Sequence, residues 1–168
     1  MSNLGSDRLD LRKRDLTTSD GKILREATLA NLNWAEPRFT VSDVTSNPEF
    51  SHYVNLDPSR GDFGVVAVDE DNQWVGVAWV LFLPLDDPGY GFVDADTGEV
   101  SVSVIKHARR RGLGRDLMVR AIEMARDRGH RRLSLSVESD NPALALYRDL
   151  GFVDVDPDRL PGTMLLTW

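Results

Sequence analysis

The sequence predicts a fold in which α and β are mixed, an α/β (α+β) arrangement with a mixed sheet and helices on both of its faces. Three observations predict it. Two apolar, β-branched runs, 63–68 and 74–83, flank Asp69-Glu70-Asp71-Asn72, which is a hairpin signal. A strand at 99–105, a helix at 112–128 and a strand at 133–137 then make a β-α-β crossover at the centre. Two further strands, 152–155 and 163–168, close the chain.

Residues 9–16 (Leu-Asp-Leu-Arg-Lys-Arg-Asp-Leu) alternate imperfectly and read as an edge-like first strand. Thr18 or Ser19 caps a helix running to about Asn33 on the apolar contacts of Ile23, Leu24, Ala27 and Leu32, and Pro37 breaks it. A shorter helical region covers 41–54, interrupted at Asn47-Pro48. After the hairpin, Asp86-Asp87-Pro88-Gly89 and residues 94–98 form a loop of turn residues. On the strand that follows, Val100, Val102 and Val104 share one face and Ser101 and Ser103 the other. The next helix carries Leu113, Leu117, Ala121 and Ala125 at intervals of four, with Met118 and Ile122 widening the stripe and Gly129 ending it. Asn141-Pro142 and a later Gly151 mark a short helix with an N-cap, a first-position proline and a terminating glycine.

A chain of 168 residues, 41% of them hydrophobic, can bury one well-formed core and is short for two ordinary domains, so one domain over 1–168 is expected. No stretch approaches the roughly 18 consecutive apolar residues of a membrane helix, and Met1 to Arg14 is polar rather than signal-like. The expected location is the cytoplasm, with no membrane partner. Without cysteine there is no disulfide, no thiolate metal site and no acyl-cysteine intermediate. His52, His107 and His130 show no metal-ligand spacing, so no metal is expected.

The net charge of −7 argues against a general nucleic-acid binder. It also hides an asymmetry: Lys106 to Arg132 holds ten basic and three acidic residues, whereas the remainder is strongly acidic. One positive region on an acidic body suits a compact anionic ligand, although a solvated, ion-paired helix face accounts for the outer arginines equally well. Within it, Arg109-Arg110-Arg111-Gly112-Leu113-Gly114-Arg115 lies between a strand and a long helix. Unpaired N–H groups at a helix N-terminus attract phosphate, and glycines let it approach the backbone closely. A Walker loop is excluded because no lysine follows either glycine. A dinucleotide loop is excluded because Leu117 stands where its third glycine would be.

This Arg-x-x-Gly-x-Gly after a strand ending in Val-x-Val resembles the acetyl-CoA signature of the GNAT (N-acetyltransferase) superfamily. The resemblance extends through Glu138-Ser139-Asp140-Asn141-Pro142-Ala143-Leu144-Ala145-Leu146-Tyr147-Arg148-Asp149-Leu150-Gly151-Phe152, similar to the family's strand, Asn, Tyr-bearing short helix and Gly-Phe. It is sharp over 99–152 and loose elsewhere. It implies a GNAT-like, mostly antiparallel sheet of six or seven strands with about four helices, splayed between its central strands.

The resemblance also implies roles. Val102, Ser103 and Val104 would offer backbone groups to the pantetheine arm of acetyl-CoA, while their side chains belong to the core. Arg109, Arg110, Arg111, Gly112, Leu113, Gly114 and Arg115 would receive the pyrophosphate. Asn141 caps its helix and would reach the same arm. Tyr147, a phenol of ordinary pKa about 10, would protonate the departing thiolate, or simply anchor its helix. Glu99 is the candidate base for the attacking amine, with Asp96 and Glu138 in reserve. Without a cysteine, the expected reaction is direct acetyl transfer to a primary amine in a ternary complex.

Trp34, Arg38, Phe39, Trp79 and Phe82 are candidates to line the acceptor site, and Asp86, Asp87, Asp94 and Asp96 would favour a cationic acceptor, a small molecule or a peptide. The alternative function is a catalytically silent acyl-CoA sensor. Many folds of this kind pair as homodimers, and no interface can be named from the sequence.

Overall fold

The computed structural model describes residues 11–168. The first two residues of the expected opening strand lie outside them, and within the remainder residues Arg12–Asp15 form β1. After it, Thr17 rather than Thr18 or Ser19 is the cap. Its side chain accepts the Ser19 N–H, and Asp20 returns a bond to the Thr17 N–H, closing a capping box on a short 3₁₀ turn. That turn feeds α1 (Gly21–Leu32), which ends at Asn33, before Pro37 is reached. Asn33 ends it by accepting from the Arg38 and Phe39 N–H groups with Oδ1, a local bond that competes with helix continuation.

The region 41–54 divides at Asn47-Pro48 as expected, into α2 (Val41–Ser46), α3 (Pro48–Ser51) and a 3₁₀ turn over His52–Val54. The hairpin is β2 (Phe63–Val68) and β3 (Trp74–Leu81). Asp69 Oδ1 takes the Asp71 and Gln73 N–H groups to shape its turn. β4 (Gly98–Val104), α4 (Leu113–Asp127) and β5 (Arg132–Ser136) form the crossover. α5 (Ala143–Asp149), β6 (Val153–Asp154) and β7 (Thr163–Thr167) complete the described chain. Among the described residues five helices thus flank the sheet where about four were expected, because Asn47-Pro48 divides the second helical region.

The seven strands are ordered β1-β2-β3-β4-β5-β7-β6, and β4 with β5 is the parallel pair. On one face, α4 buries Leu117, Met118, Ala121 and Ala125 completely against β2 to β5. At about 1.5–3 kcal/mol for each large side chain withdrawn from water, this stripe is what fixes the helix on the sheet. On the other face, α1 buries Leu24 and Ala27 over Val66, Val68, Val77 and Trp79. β2 and most of β3 are therefore buried on both faces, which explains their unbroken apolar runs.

Candidate active site

The central pair parts almost as soon as it forms. Gly98 pairs with Leu133 and Glu99 with Ser134, and no later rung joins β4 to β5. Each strand instead stays with its outer neighbour. β4 follows β3 to the pair Gly76 and Val104, while β5 follows β7 to Ser136 and Thr163, continued by Val137 N–H to Gly162 O at 2.9 Å. The result is a V whose apex is Glu99 and Ser134 and whose β4 edge, from Val100 onward, offers backbone groups without a strand partner. Val102, Ser103 and Val104 stand on that edge. The side chains of Val102 and Val104 pack on the α4 core and Ser103 is buried, as expected of core positions.

The wide end of the V leads into the arginine loop. A short 3₁₀ turn, Lys106–Ala108, precedes it, and Arg109 Nε donates to the Val104 carbonyl at 2.9 Å, tying loop to strand. Arg110 (φ 64°) and Gly112 (φ 81°) are both left-handed, which turns the chain sharply into α4. A Cβ on Gly112 would meet no atom within 4 Å, so it opens on space. No side chain caps α4, and its first amides, from Leu113, Gly114 and Arg115, are left for an outside acceptor. Arg115 pairs with Asp149 of α5 and so braces the short helix against the loop. A Cβ on Gly114 would lie 3.8 Å from Val104 and 3.9 Å from Leu146, showing how closely β4, α4 and α5 converge here. An uncapped helix start at the mouth of a splayed strand pair fits a long ligand with a phosphate head and an amide-bearing arm.

α5 carries Tyr147 on the α4 side of the sheet. Its ring is half-buried against the same core as Val102 and Val104, edge-on to Phe152 at 6.2 Å, and burial pushes its hydroxyl up to about 12. It stays protonated at neutral pH and can only give a proton. Asn141 Oδ1 accepts the Ala143 N–H at 2.9 Å just ahead of α5, whose N-cap position is held by Pro142 and not by Asn141 as expected.

Glu99 lies on the opposite face, at the apex, only 5% exposed. The loop after β3 crosses directly over it: the Gly91 N–H donates to Oε1, and Tyr90 N–H donates to the Tyr53 hydroxyl at 2.7 Å. A Cβ on Gly91 would come within 2.5 Å of Glu99 Oε1 and 2.6 Å of the Leu135 carbonyl carbon, so only glycine fits where the strands part. This strap is anchored twice more, by Tyr90 Oη to Glu49 Oε2 at 2.9 Å and Thr163 Oγ1 to Tyr90 O at 3.3 Å. Burial pushes the Glu99 carboxyl up to about 7, outweighing the opposing pull of the Tyr53 hydroxyl and the Gly91 amide. Its Oε2 is buried without a hydrogen-bond partner among the described residues, as is Ser134 Oγ on the facing strand.

The other expectations sort by position. Trp34 and Phe39 are half-buried beyond α1, and Phe39 packs edge-on to Phe50 at 5.0 Å. Trp34 Nε1 donates to Glu138 Oε2 at 3.1 Å and Arg38 Nη2 approaches Oε1 at 3.5 Å, so Glu138 clasps the α1–α2 loop to the end of β5. Beside it lies a concavity lined by Ser136, Val137, Glu138, Ser139, Asp140, Pro161 and Gly162. Trp79 and Phe82, by contrast, line nothing open. Trp79 is core beneath α1 with Nε1 bonded to Tyr53 O at 3.0 Å, and Phe82 is core against His130 at 4.7 Å. Their correction has one cause: in a run buried on both faces, alternation no longer tells which side chains reach solvent.

Of the acidic residues, Asp87 is taken by His52 Nδ1 at 2.9 Å and Asp94 by Arg132, leaving Asp86 and Asp96 exposed. His107 is a surface residue. No group of three potential metal ligands occurs among the described residues. No helix among them is long and apolar enough to cross a membrane. Tyr53, Tyr90 and Gly91 belong to this site and were not foreseen; the two glycines flanking an aromatic in 89–91 are the one local hint of close backbone approach.

Comparison with known proteins agrees with this geometry. The model of the Acetyltransferase (GNAT) family matches residues 27–152. A mycothiol acetyltransferase from Arthrobacter sp. (strain FB24) is 37% identical over 100 residues, 58% of this chain and 29% of that protein. Another, from Beutenbergia cavernae, is 48% identical over 64 residues, 37% of this chain and 22% of that protein. The chain therefore spans less than a third of the length of such relatives. Among solved structures, PaiA N-acetyltransferase from Thermoplasma acidophilum in complex with coenzyme A superposes with a TM-score of 0.67, at 15% identity, over 94% of this chain and 99% of that one. An acetyltransferase of the GNAT family from Staphylococcus aureus Mu50 gives 0.68 at 15% identity, over 94% and 98%.

Proposed function

The chain belongs to the acetyltransferase (GNAT) family, and from that premise we propose that it is an acetyl-CoA-dependent N-acetyltransferase acting on a primary amine by direct attack in a ternary complex. The observation that carries this reading is the V between β4 and β5 leading into the uncapped start of α4. Bound acetyl-CoA supplies an acetyl group activated as a thioester. The free edge of β4 at Val102, Ser103 and Val104 takes the amides of the arm. The amides of Gly112 to Arg115, with Arg109, Arg110 and Arg111 around them, take the pyrophosphate charge.

Glu99 and Tyr147 divide the proton traffic. An amine of ordinary pKa near 10 arrives protonated and must lose a proton before it attacks. Glu99, poised at about 7 and sited at the apex on the α1 face, takes that proton directly or through one water. Tyr147, on the α5 face, gives its proton to the departing sulfur. Acid and base thus work from opposite faces of the sheet through the gap between its central strands, and catalysis rests mainly on holding the reactants there.

The acceptor enters from the α1 face, beside the clasp of Trp34, Arg38 and Glu138. The mycothiol acetyltransferase relatives support a small-molecule acceptor, and the exposed Asp86 and Asp96 support a cationic one. The test is calorimetric titration with acetyl-CoA, ATP and NADH, followed by mass spectrometry of a panel of amines incubated with protein and acetyl-CoA. Selective binding of acetyl-CoA with an acetylated amine supports the reading. Binding with no acetylated amine in any class favours the silent sensor, and binding of ATP or NADH alone overturns both.

A further inference from the structure

The Glu99 carboxylate is surrounded by a hydrogen-bond arrangement with one donor to spare. The Tyr53 oxygen accepts the Tyr90 N–H at 2.7 Å, which uses a lone pair and leaves its own proton to be given to a neighbouring acceptor. The Tyr53 ring is held on both sides, edge-on to His52 at 4.5 Å and stacked on Tyr90 at 6.3 Å, and its carbonyl is bonded by Trp79. These contacts place the ring, and with it the hydroxyl, on the side of the carboxylate. A Cβ on Gly89 would meet Glu99 Oε2 at 2.4 Å and Tyr53 Oη at 2.7 Å, so the two oxygens face one another across that glycine. Oε1 is occupied by the Gly91 amide and Oε2 has no fixed partner.

We propose that Tyr53 is a positioning residue for the base: its phenolic proton, directed at the Glu99 carboxylate, favours the ionised form and orients it in a buried site. This deepens the acetyltransferase reading and rests on Glu99 being its base. A buried carboxylate without such a donor would hold its proton at neutral pH and could not accept another. The Tyr53 proton and the Gly91 amide are the two donors that oppose burial.

The groups facing Glu99 are few. Tyr53 and Tyr90 come from the elements above it. His52 lies behind the Tyr53 ring and is paired with Asp87, and Glu49 takes the far end of Tyr90. On β5 the facing residue is the neutral Ser134, and the nearby Arg132 is committed to Asp94. On β3 it is Leu81. The donor from Tyr53 therefore has no charged competitor on the neighbouring strands.

The experiment is the pH dependence of kcat/KM, read by coenzyme A release with the amine accepted in the panel, for the wild type, Tyr53→Phe and Glu99→Gln. It is paired with a carbon-13 NMR titration of the Glu99 carboxyl. Loss of one hydrogen bond to a charge should move the acidic limb of Tyr53→Phe upward by about one pH unit. Activity then falls roughly tenfold at pH 6 and recovers above pH 8. The NMR titration of the same variant should move by the same amount. A fluorotyrosine at position 53, a stronger donor of the same shape, should move both downward, and this keeps the test open if Tyr53→Phe does not fold. A uniform loss at every pH, with the NMR titration unmoved, overturns the proposal and leaves Tyr53 a packing residue. Persistence of the acidic limb in Glu99→Gln overturns the base assignment instead, and the NMR titration still decides whether Tyr53 sets the ionisation of Glu99.

Discussion

Replacing Glu99 by Gln removes a titrating group that the fold has buried, and the consequence can be worked out before any substrate is added. The native carboxyl is pushed from 4.5 to about 7 by burial. Between those values the folded protein holds a proton that the unfolded chain has released, so stability falls as pH rises through this window. At 1.36 kcal/mol per unit, a shift of about 2.5 units costs the wild type about 3 kcal/mol by pH 8 relative to pH 4.5. Gln keeps an oxygen for the Gly91 N–H and carries no proton to lose. Urea unfolding of both proteins at intervals from pH 4.5 to 8 isolates this term, because the other titrating groups are shared and cancel in the difference. The stability of Glu99→Gln should gain on that of the wild type by about 3 kcal/mol across the range, nearly all of it below pH 7.5. Two parallel curves would refute the reasoning, since they would mean that Glu99 titrates alike in the folded and unfolded chains.

Tyr147→Phe should lower turnover by about 10² while leaving the calorimetric affinity for acetyl-CoA nearly unchanged, because only the proton on the departing sulfur is lost. Gly91→Ala forces a Cβ against the Leu135 backbone, which cannot yield as a side chain would, and should cost about 1–3 kcal/mol in urea unfolding. Gly112→Ala meets no atom, so its cost is the left-handed backbone alone, about 1–2 kcal/mol. Glu138→Ala opens an exposed clasp; stability should change by less than about 1 kcal/mol, while the acceptor KM should shift and the acetyl-CoA KM should not.

The elements were legible because their signals are local. Asp69 to Asn72 between two β-branched runs could only be a hairpin turn, and the four-residue spacing from Leu113 to Ala125 could only be a packed helix face. The arginine loop was legible as a loop for the same reason: its arginines and glycines are contiguous, and they lie at the start of α4. Tyr53 was not legible. It meets Tyr90 and Glu99 only after the 3₁₀ turn that follows α3 and the strap have been brought over the apex, and nothing in its neighbours along the chain marks it. Trp79 and Phe82 failed in the opposite direction. Aromatic residues near a binding loop suggest a lining, but both faces of β3 are buried, which takes in Trp79 and, just past the strand's end, Phe82. The Thr17 cap shows a finer limit, since three hydroxyl residues, Thr17, Thr18 and Ser19, offered the same bond and Asp20 closed the box on the first of them.

Whether the V between β4 and β5 delivers an acetyl group to an amine can be tested in one tube, because the chain has no cysteine. Protein, acetyl-CoA and an amine are mixed with a thiol-reactive dye, and the only thiol that can form is released coenzyme A. Release should depend on the amine, exceed hydrolysis, and fall by about 10² in Tyr147→Phe. Release at the hydrolysis rate with every amine, from protein that binds acetyl-CoA, would contradict acetyl delivery by the V.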